Sequence, residues 1–394
     1  MVEEKLNKQH ELQLAILRNL YCRGAMSINE IGKVTGKSLP LITGIINRLQ
    51  HEKLIVDSRL APSTGGRRAH IYQLNKATPK FIVAVAVDQQ TTRVAAFNLV
   101  NELLIPVAES AINLTQGVKA LDDMIDFISG YLCHPNVSVT HIIGIGIAMP
   151  GFVNAAKGVN QTYFGNENIA QYIKSKLGYE VFIDNDSSAI ALAELHFGVA
   201  KGMKDVMVVN VGWGIGLGMI VNGKLFRGHN GFAGEFSHIP LADSNNLCSC
   251  GKRGCLEVDA SLLVLTRKAQ QEMKEGFASK MHDLFLEKDV LPGEVILQAA
   301  NTGDQLAINL LSKAGFLIGK GIATLIHIMN PQGVVISGRG AMAAKILMAP
   351  IQQAVNEFSI PMLAEQCVLL PSKLNKEAEL LGAATLVIER TMSF

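Results

Sequence analysis

The chain has 394 residues, of which 48% are apolar and 18% are charged, and its formal net charge at pH 7 is +2. This length predicts two to three domains, and the amino-terminal residues lack the apolar segment of a secretory signal, so we expect a cytoplasmic protein without structural disulfides. We expect no membrane span, because no apolar run approaches the roughly 20 residues that a spanning helix needs.

The basic charge is concentrated at the amino-terminal end. Residues 1–75 carry 11 Lys and Arg against 6 Asp and Glu, a net charge of +5, whereas the remainder carries −3. A basic segment on a mildly acidic body favours a nucleic-acid-binding module, with ordinary surface scatter as the alternative.

The first fifty residues predict three helices. The first carries an apolar stripe at helical spacing, formed by Leu12, Ala15, Ile16 and Leu20. The second begins at Ser27, which forms a capping box with Glu30, and ends near Gly36. The third begins at Ser38, accepts Pro40 in its first turn, and buries Ile42, Ile45, Ile46 and Leu49. Two short helices joined by a glycine turn predict a helix-turn-helix, whose second helix enters the major groove of DNA.

A wing is predicted directly after the third helix. Strands at 54–56 and 71–74 flank a glycine-containing loop that ends on Arg67 and Arg68, and arginine suits phosphate contacts and narrow minor grooves. We therefore assign residues 1–75 to a winged helix-turn-helix domain that binds double-stranded operator DNA. A protein-interaction module with two solvated arginines is the alternative. The residues expected to contact DNA are Ser38, Pro40, Thr43, Gly44, Asn47, Arg48, Arg67 and Arg68.

Alternating strands and helices predict an α/β body from residue 80 to residue 394. Three strands that form a meander are expected first, at 81–87, 93–99 and 103–109. The elements expected next are a helix at 118–132, strands at 142–148 and 181–184, a helix at 187–197, strands at 206–211 and 216–221, a helix-rich part at 261–329, a strand at 333–337, a helix ending at 358, a strand at 368–370 and a closing helix at 377–389.

Half of the cysteines lie in one short stretch. Cys248, Cys250 and Cys255 fall within eight positions, Gly251 and Gly254 permit the backbone to fold back between them, and His238 precedes them. Structural zinc sites use four Cys and His ligands in a tetrahedron, so we predict a zinc ion held by His238, Cys248, Cys250 and Cys255. The alternatives are a disulfide pair or buried thiols.

The motif Cys-x-Cys-Gly-x-x-Gly-Cys-x-Glu, with Gly-Glu-x-x-His upstream, resembles the ROK family of sugar kinases and sugar-responsive repressors. The Thr-Gly-Gly-Arg-Arg wing and the spacing from His238 to the cysteines also resemble those of its repressors. The resemblance implies an actin-like ATPase fold, related to ribonuclease H, whose two subdomains enclose a cleft, and a closing helix that returns to the first half. It also implies that a homodimer or homotetramer binds a sugar or sugar phosphate.

The resemblance implies which residues contact the sugar. They are Gly151, Asn168, Asn185, Asp186, Glu235, His238 and Glu257. In family kinases the residue corresponding to Asp186 is the general base, although capping of the following helix is an equal structural explanation for Asp186. His238 is expected to use one ring nitrogen for zinc and the other for the sugar.

The phosphate-binding loops depart from the family pattern. Family kinases carry Asp-x-Gly-Gly-Thr after the first strand, but here Gln90 and Thr91 replace the two glycines that let backbone N–H groups approach phosphates. Trp213 also stands where kinases carry Thr. Because phosphoryl transfer depends on positioning, we expect no enzymatic activity and predict a sugar-responsive repressor. A sugar kinase with an attached DNA-binding domain, and a scaffold that binds another protein, are the alternatives.

Overall fold

The computed structural model describes residues 2–60, 70–135, 137, 141–286 and 291–392. The chain forms two compact units. The first unit contains Met1–Met149, Lys157–Asp184 and Ala383–Phe394, and the second contains Pro150–Ala156 and Asn185–Gly382. The closing segment thus belongs in part to the first unit, as the resemblance implied. The division into domains at 1–75 and 80–394 stays a prediction.

The amino-terminal module has the topology of a winged helix. Its elements are α1 (Val2–Arg23), β1 (Met26–Ser27), α2 (Ile28–Thr35), α3 (Leu39–His51), β2 (Ile55–Leu60) and β3 (His70–Leu74). The three strands form an antiparallel sheet in the order β1-β3-β2. The loop between β2 and β3, which includes Arg67 and Arg68, lies outside the described residues.

Two of the three predicted helix boundaries in this module are formed by side-chain or backbone caps. Ser27 accepts a hydrogen bond from the backbone of Glu30, and Glu30 accepts one in return from the backbone of Ser27. Gly36 ends α2 in the left-handed conformation with φ +64°. Ser38 does precede α3, but its side chain makes no capping hydrogen bond.

The predicted core of the module is also confirmed, with one exception. The four residues expected inside α3 are buried, and so are the residues of the α1 stripe apart from the half-buried Ala15; the buried set is Leu12, Ile16, Leu20, Ile42, Ile45, Ile46 and Leu49.

The first unit contains a five-stranded sheet in the order β10-β7-β4-β5-β6. Its strands are β4 (Phe81–Val87), β5 (Thr92–Asn98), β6 (Ala108–Ser110), β7 (Ile142–Met149) and β10 (Val181–Asn185). The other elements up to β10 are α4 (Val118–Leu132), β8 (Val153–Asn154), β9 (Val159–Asn160), α5 (Gln161–Phe164) and α6 (Ile169–Leu177). The strand expected at 103–109 was wrong: only 108–110 is a strand, because the chain turns at Asn101 (φ +62°) and the side chain of Asn98 accepts the N–H groups of Val100 and Glu102.

The second unit contains a five-stranded sheet of the same arrangement, in the order β15-β14-β11-β12-β13. Its strands are β11 (Val206–Val211), β12 (Ile215–Val221), β13 (Lys224–Leu225), β14 (Gly333–Ser337) and β15 (Val368–Pro371). In both sheets the first three strands in chain order form an antiparallel meander, and the first and fourth pair in parallel. This repeated topology is that of the actin-like ATPase fold.

The helices of the second unit follow the predicted order. They are α7 (Asp186–His196), α8 (Glu257–Ala260), α9 (Leu262–Lys274), α10 (Met281–Leu284), α11 (Pro292–Asn301), α12 (Gln305–Met329), α13 (Ala344–Phe358), α14 (Pro361–Ala364) and α15 (Glu377–Arg390), the last of which ends in the first unit. By length and composition α12 could cross a membrane, contrary to our expectation that no segment would. However, 61% of its most apolar 18-residue stretch is buried inside the protein, and a buried core helix can have the same length and composition as a membrane-spanning one.

Candidate functional site

The predicted metal ligands come together in the second unit. One ligand atom from each of His238, Cys248, Cys250 and Cys255 lies within 4.8 Å of the other three. A tight turn brings the cysteines together, because Cys248 N–H donates to Lys252 O at 2.8 Å and Gly251, with φ +82°, donates back to Cys248 O at 2.9 Å.

The spacing of the ligand atoms fits a tetrahedral ion. Cys248 Sγ lies 3.5 Å from His238 Nδ1, and Cys250 Sγ lies 3.6 Å from Cys255 Sγ. A tetrahedron with the usual Zn–S and Zn–N bond lengths has N···S edges of about 3.6 Å and S···S edges of about 3.8 Å. The Sγ of Cys255 is buried, and burial together with the neighbouring thiols raises the pKa of Cys255 to about 12. A bound cation would supply the opposing charge that a thiolate at this position needs.

His238 faces the metal cluster with one ring nitrogen and a carboxylate with the other. Its Nδ1 points toward Cys248, whereas its Nε2 lies 3.8 Å from Glu235 Oε2. The ring of Phe152 stacks on the imidazole at 6.4 Å between centroids with an interplanar angle of 23°. Zinc coordination through Nδ1 would therefore orient Nε2 toward the side where Glu235 lies.

The segment at the carboxyl end of β10 holds two predicted sugar ligands, but Asn185 has a structural role. Its Oδ1 accepts the N–H groups of Ser187 and Ser188, and so caps α7, and its Nδ2 donates to Gly151 O at 3.1 Å. Asp186 Oδ1 accepts from Ser187 N–H at 2.7 Å. The sugar contacts of Gly151, Asn185 and Asp186 stay predictions.

A residue that the sequence analysis missed holds Asp186 in place. Asn210, at the end of β11, is buried and directs its Nδ2 toward Asp186 Oδ2 at 3.4 Å and Ser187 Oγ at 3.1 Å. A lone amide at the end of the apolar strand Val-Met-Val-Val-Asn-Val, just before a glycine turn, was the available signal.

Two further predicted sugar ligands have carboxyl groups that are easily protonated. Desolvation, with a smaller effect of Asp186, raises the pKa of Glu235 to about 7. Desolvation also raises the pKa of Glu257 to about 7, although Glu257 Oε2 accepts the Ile215 N–H at 2.8 Å. The negative charge of Asp186 contributes to the raised pKa of both groups, and all three residues belong to the second unit.

Asn168, the remaining predicted sugar ligand, lies in the first unit. It is the N-cap of α6, where its Oδ1 accepts the N–H of Gln171 at 2.9 Å. Its contact with a sugar stays a prediction.

The predicted DNA-facing residues of α3 lie on its exposed side. Ser38, Pro40, Gly44, Asn47 and Arg48 are exposed, and Thr43 is half-buried. Two of these side chains already have partners in the helix: Thr43 Oγ1 donates to Leu39 O at 2.9 Å, and Arg48 Nε donates to Glu52 Oε1 at 2.8 Å. Such an exposed pair contributes little to stability, and the DNA contacts of these residues stay predictions.

The turn between β4 and β5 uses its own backbone donors. Asp88 Oδ1 accepts the N–H groups of Gln90 and Thr91 at 2.8 and 2.7 Å, and Asp88 Oδ2 accepts the Thr91 hydroxyl at 2.9 Å. The N–H groups that could otherwise bind a phosphate are therefore satisfied within the turn.

The second glycine turn, 212–214 at the end of β11, carries the buried side chain of Trp213. Trp213 is 5% exposed, and a Cβ atom added at Gly293 would lie 1.8 Å from its ring. The guanidinium carbon of Arg339 stands 5.0 Å from the centroid of the indole, at a distance typical of a cation–π contact.

The third glycine turn, 338–340, packs against the carboxyl end of β11. β11 and β14 are parallel neighbours, so the turns that follow them meet at one edge of the sheet, and a Cβ atom at Gly338 would lie 2.1 Å from Asn210 Oδ1. The buried Arg339 forms an ion pair with the buried Glu294, whose Oε1 also lies 2.7 Å from Lys376 Nζ. Trp213, Arg339, Glu294 and Lys376 thus form one packed group, the Trp–Arg cluster.

The repeated sheet topology of the two units and the Cys₃His cluster of the second unit, with Glu235 next to His238, point to one class of protein. Residues 86–390 match the model of the ROK family, and the chain belongs to that family. It is 27% identical over 389 residues to the xylose repressor of Caldicellulosiruptor bescii. This alignment covers 97% of this chain and 96% of the repressor. It is 29% identical over 251 residues to the glucokinase of Thermotoga maritima. This alignment covers 62% of this chain and 79% of the kinase.

The structure also resembles a solved regulator along its whole length. The crystal structure of the "ROK family transcriptional regulator, homolog of E.coli MLC protein" superposes with a TM-score of 0.77 at 24% identity, and the match covers 97% of each chain. The kinase match leaves more than a third of this chain uncovered, whereas both regulator matches include the amino-terminal module. The fold predicted from the sequence is confirmed.

Proposed function

We propose that the protein is a sugar-responsive transcriptional repressor without kinase activity. The observation that carries the proposal is the Trp–Arg cluster: the glycine turns that follow β11 and β14 carry the buried, mutually contacting side chains of Trp213 and Arg339, while Asp186, Glu235, His238 and Glu257 lie in the same unit. A body that keeps polar groups for hydroxyls but carries bulky buried side chains at its glycine turns would bind a sugar without transferring phosphate.

The amino-terminal module supplies the DNA-binding half of the proposal. The exposed side of α3 carries polar residues and Arg48, which suits the major groove. The basic Arg67 and Arg68 would contact phosphates or the minor groove from the wing. A homodimer would present two such modules and a homotetramer four, so we expect a palindromic operator whose half-sites are separated by whole helical turns.

Zinc is the metal that we propose for the Cys₃His cluster. The donor set of three thiols and one imidazole and the N···S and S···S distances of 3.5 and 3.6 Å suit tetrahedral Zn²⁺. Reduced thiols would persist in the cytoplasm, where we place the protein. The ion would link the loop of residues 248–255 to His238 and so fix the imidazole for a sugar hydroxyl.

Repression would be relieved when the sugar binds one conformation of the body better than the other. A ligand shifts such an equilibrium only by its difference in affinity for the two states. Asp186, Glu235 and Glu257 would accept hydrogen bonds from sugar hydroxyls, and His238 Nε2 would complete the set. Phe152, 37% exposed and stacked on His238, offers an apolar face beside these groups.

A ROK sugar kinase with an attached DNA-binding domain is the second candidate, because Asp186 is present and is held by Asn210. The experiment that separates the two functions combines a thermal-shift screen of neutral sugars, amino-sugars and sugar phosphates with a coupled ADP-release assay on the same ligands. We expect one ligand to raise Tm, as mass action requires of a specific binder, with ADP release at background. Sugar-dependent ADP release that disappears in Asp186→Ala would overturn the proposal in favour of the kinase.

A further inference from the structure

The last residue of α15, Arg390, attaches the carboxyl end of this helix to β10. Arg390 donates from Nη1 to Ile183 O at 3.0 Å and from Nη2 to Asp184 Oδ2 at 2.9 Å. Asp184 is 2% exposed, so this contact is a buried ion pair. It ends the part of β10 that lies in the first unit, and the next two residues in the chain are Asn185 and Asp186.

The same end of α15 is also hydrogen-bonded to α1, the first helix of the DNA-binding module. Arg18 donates from Nε to Ile388 O at 3.0 Å and from Nη2 to Thr391 O at 2.8 Å. These contacts place a cation at the carboxyl terminus of a helix, where the last carbonyl groups lack partners within the helix and the helix dipole is negative.

Two further contacts extend this attachment along α1. A ring nitrogen of His10 lies 2.7 Å from Met392 O, and the Tyr21 hydroxyl hydrogen-bonds the side chains of Asn101 and Thr385. Tyr21 and Thr385 are buried. Helix α1 is therefore attached to the last helix over about three turns, from His10 to Tyr21.

We propose that the carboxyl end of α15 is the mechanical connection through which sugar binding changes the DNA affinity of the winged-helix module, with Arg390 and Arg18 as its positioning residues. The inference rests on the proposed function. A sugar bound at the site displaces Asn185 and Asp186, and Asp184 moves with them because it precedes them in the chain. Asp184 moves Arg390, and with it the carboxyl end of α15, through their ion pair. Arg18, which is hydrogen-bonded to that end, then moves α1.

The arrangement suits transmission because each arginine makes two hydrogen bonds to backbone or carboxylate oxygens. A planar guanidinium held at two points fixes both the distance and the orientation of its partner, whereas a single ammonium contact leaves rotation free. A movement of the end of β10 is thereby converted into a movement of the helix end rather than absorbed by side-chain rotation.

The test is the coupling between sugar and DNA in Arg18 variants of the full chain loaded with zinc. Fluorescence anisotropy on duplex from the region upstream of the gene would give the dissociation constant with and without saturating sugar, and their ratio is the coupling factor. Typical coupling factors are about 5 to 150. We expect Arg18→Ala to lower the factor to below about 2, with DNA affinity in the absence of sugar and sugar affinity each changed by less than about threefold, and Arg18→Lys to restore part of it. Arg23→Ala, an exposed arginine at the end of the same helix, is the matched control and should keep the wild-type factor.

A coupling factor in Arg18→Ala equal to that of the wild type would overturn the connection while leaving the repressor function in place. A wild-type protein that binds no DNA, or whose DNA binding ignores every sugar, would instead refute the proposed function. In that case, amide hydrogen exchange tests whether α15 and α1 are mechanically connected, because it requires neither sugar nor DNA. We expect Arg390→Lys to raise exchange at least about threefold in residues 10–23, because the hydrogen bonds of Arg390 to Ile183 O and Asp184 Oδ2 fix the helix end to which α1 is attached. Faster exchange confined to 377–392 would overturn the proposal.

Discussion

Removal of one cysteine of the Cys₃His cluster tests the proposed zinc site most sharply. Cys250 is the ligand to replace, because it is exposed whereas Cys248 and Cys255 are buried, so Cys250→Ser removes a thiolate and little packing. Cys133→Ser is the matched control, since that thiol is also exposed but follows α4 outside the cluster.

The expected loss of stability follows from mass action. Zinc that binds only the folded state stabilises it by about 2.7 kcal/mol at a free concentration of 100 times Kd, and by about 4.1 kcal/mol at 1,000 times Kd. The cluster lies in the second unit, which contains about 200 residues, so at about 2.1 cal/mol/K per residue its unfolding entropy is roughly 0.4 kcal/mol/K. Loss of zinc should therefore lower Tm by about 6 to 10 °C.

The assay combines elemental analysis with scanning fluorimetry in the presence and absence of a chelator. We expect about one zinc per chain in the wild type and in Cys133→Ser, and much less in Cys250→Ser. The chelator should lower Tm in the first two proteins and leave Cys250→Ser unchanged. A metal-free wild type whose Tm ignores both chelator and added zinc would refute the reasoning.

Three other predictions concern stability and sugar binding. Gly146→Ala should destabilise the protein by at least about 3 kcal/mol in urea unfolding, because its Cβ would lie 1.9 Å from a carbonyl oxygen of α15, whereas Gly130→Ala, with open space at that position of α4, should be neutral or stabilising; equal effects would contradict this. Ser27→Ala should cost about 1 kcal/mol and Ser38→Ala almost nothing, since only Ser27 makes a capping hydrogen bond; a larger loss for Ser38→Ala would refute it. Asp186→Asn should weaken sugar binding at least about tenfold in calorimetry while DNA affinity without sugar stays within about twofold; unchanged sugar affinity would remove Asp186 from the site.

Local rules account for much of the fold that the sequence predicted. The capping box at Ser27, the left-handed Gly36 and the apolar stripe of α3 depend on neighbours a few residues away, so they could be identified from spacing alone. The strand expected at 103–109 was wrong because a side chain, Asn98, reorganises the backbone that follows it, and apolar composition alone does not reveal this.

The candidate site was predictable where its residues lie close together in sequence. The Cys₃His cluster could be recognised because its four residues lie within 18 positions of the chain, from 238 to 255. The Trp–Arg cluster could not, since Trp213 meets Gly293 and Arg339 only after β11, α11 and β14 have assembled. The same holds for Asn210, whose partner Asp186 belongs to the preceding helix.

We propose that sugar binding to this ROK chain changes its affinity for DNA and does not lead to phosphorylation of the sugar by ATP. The most direct test is a titration of zinc-loaded protein against duplex from the region upstream of its gene, at low salt, with each monosaccharide added in turn. The account predicts sequence-specific binding that one sugar weakens at least about fivefold, within the usual range of coupling between sites. Binding to no duplex, or binding that every sugar and sugar phosphate leaves unchanged, would contradict it.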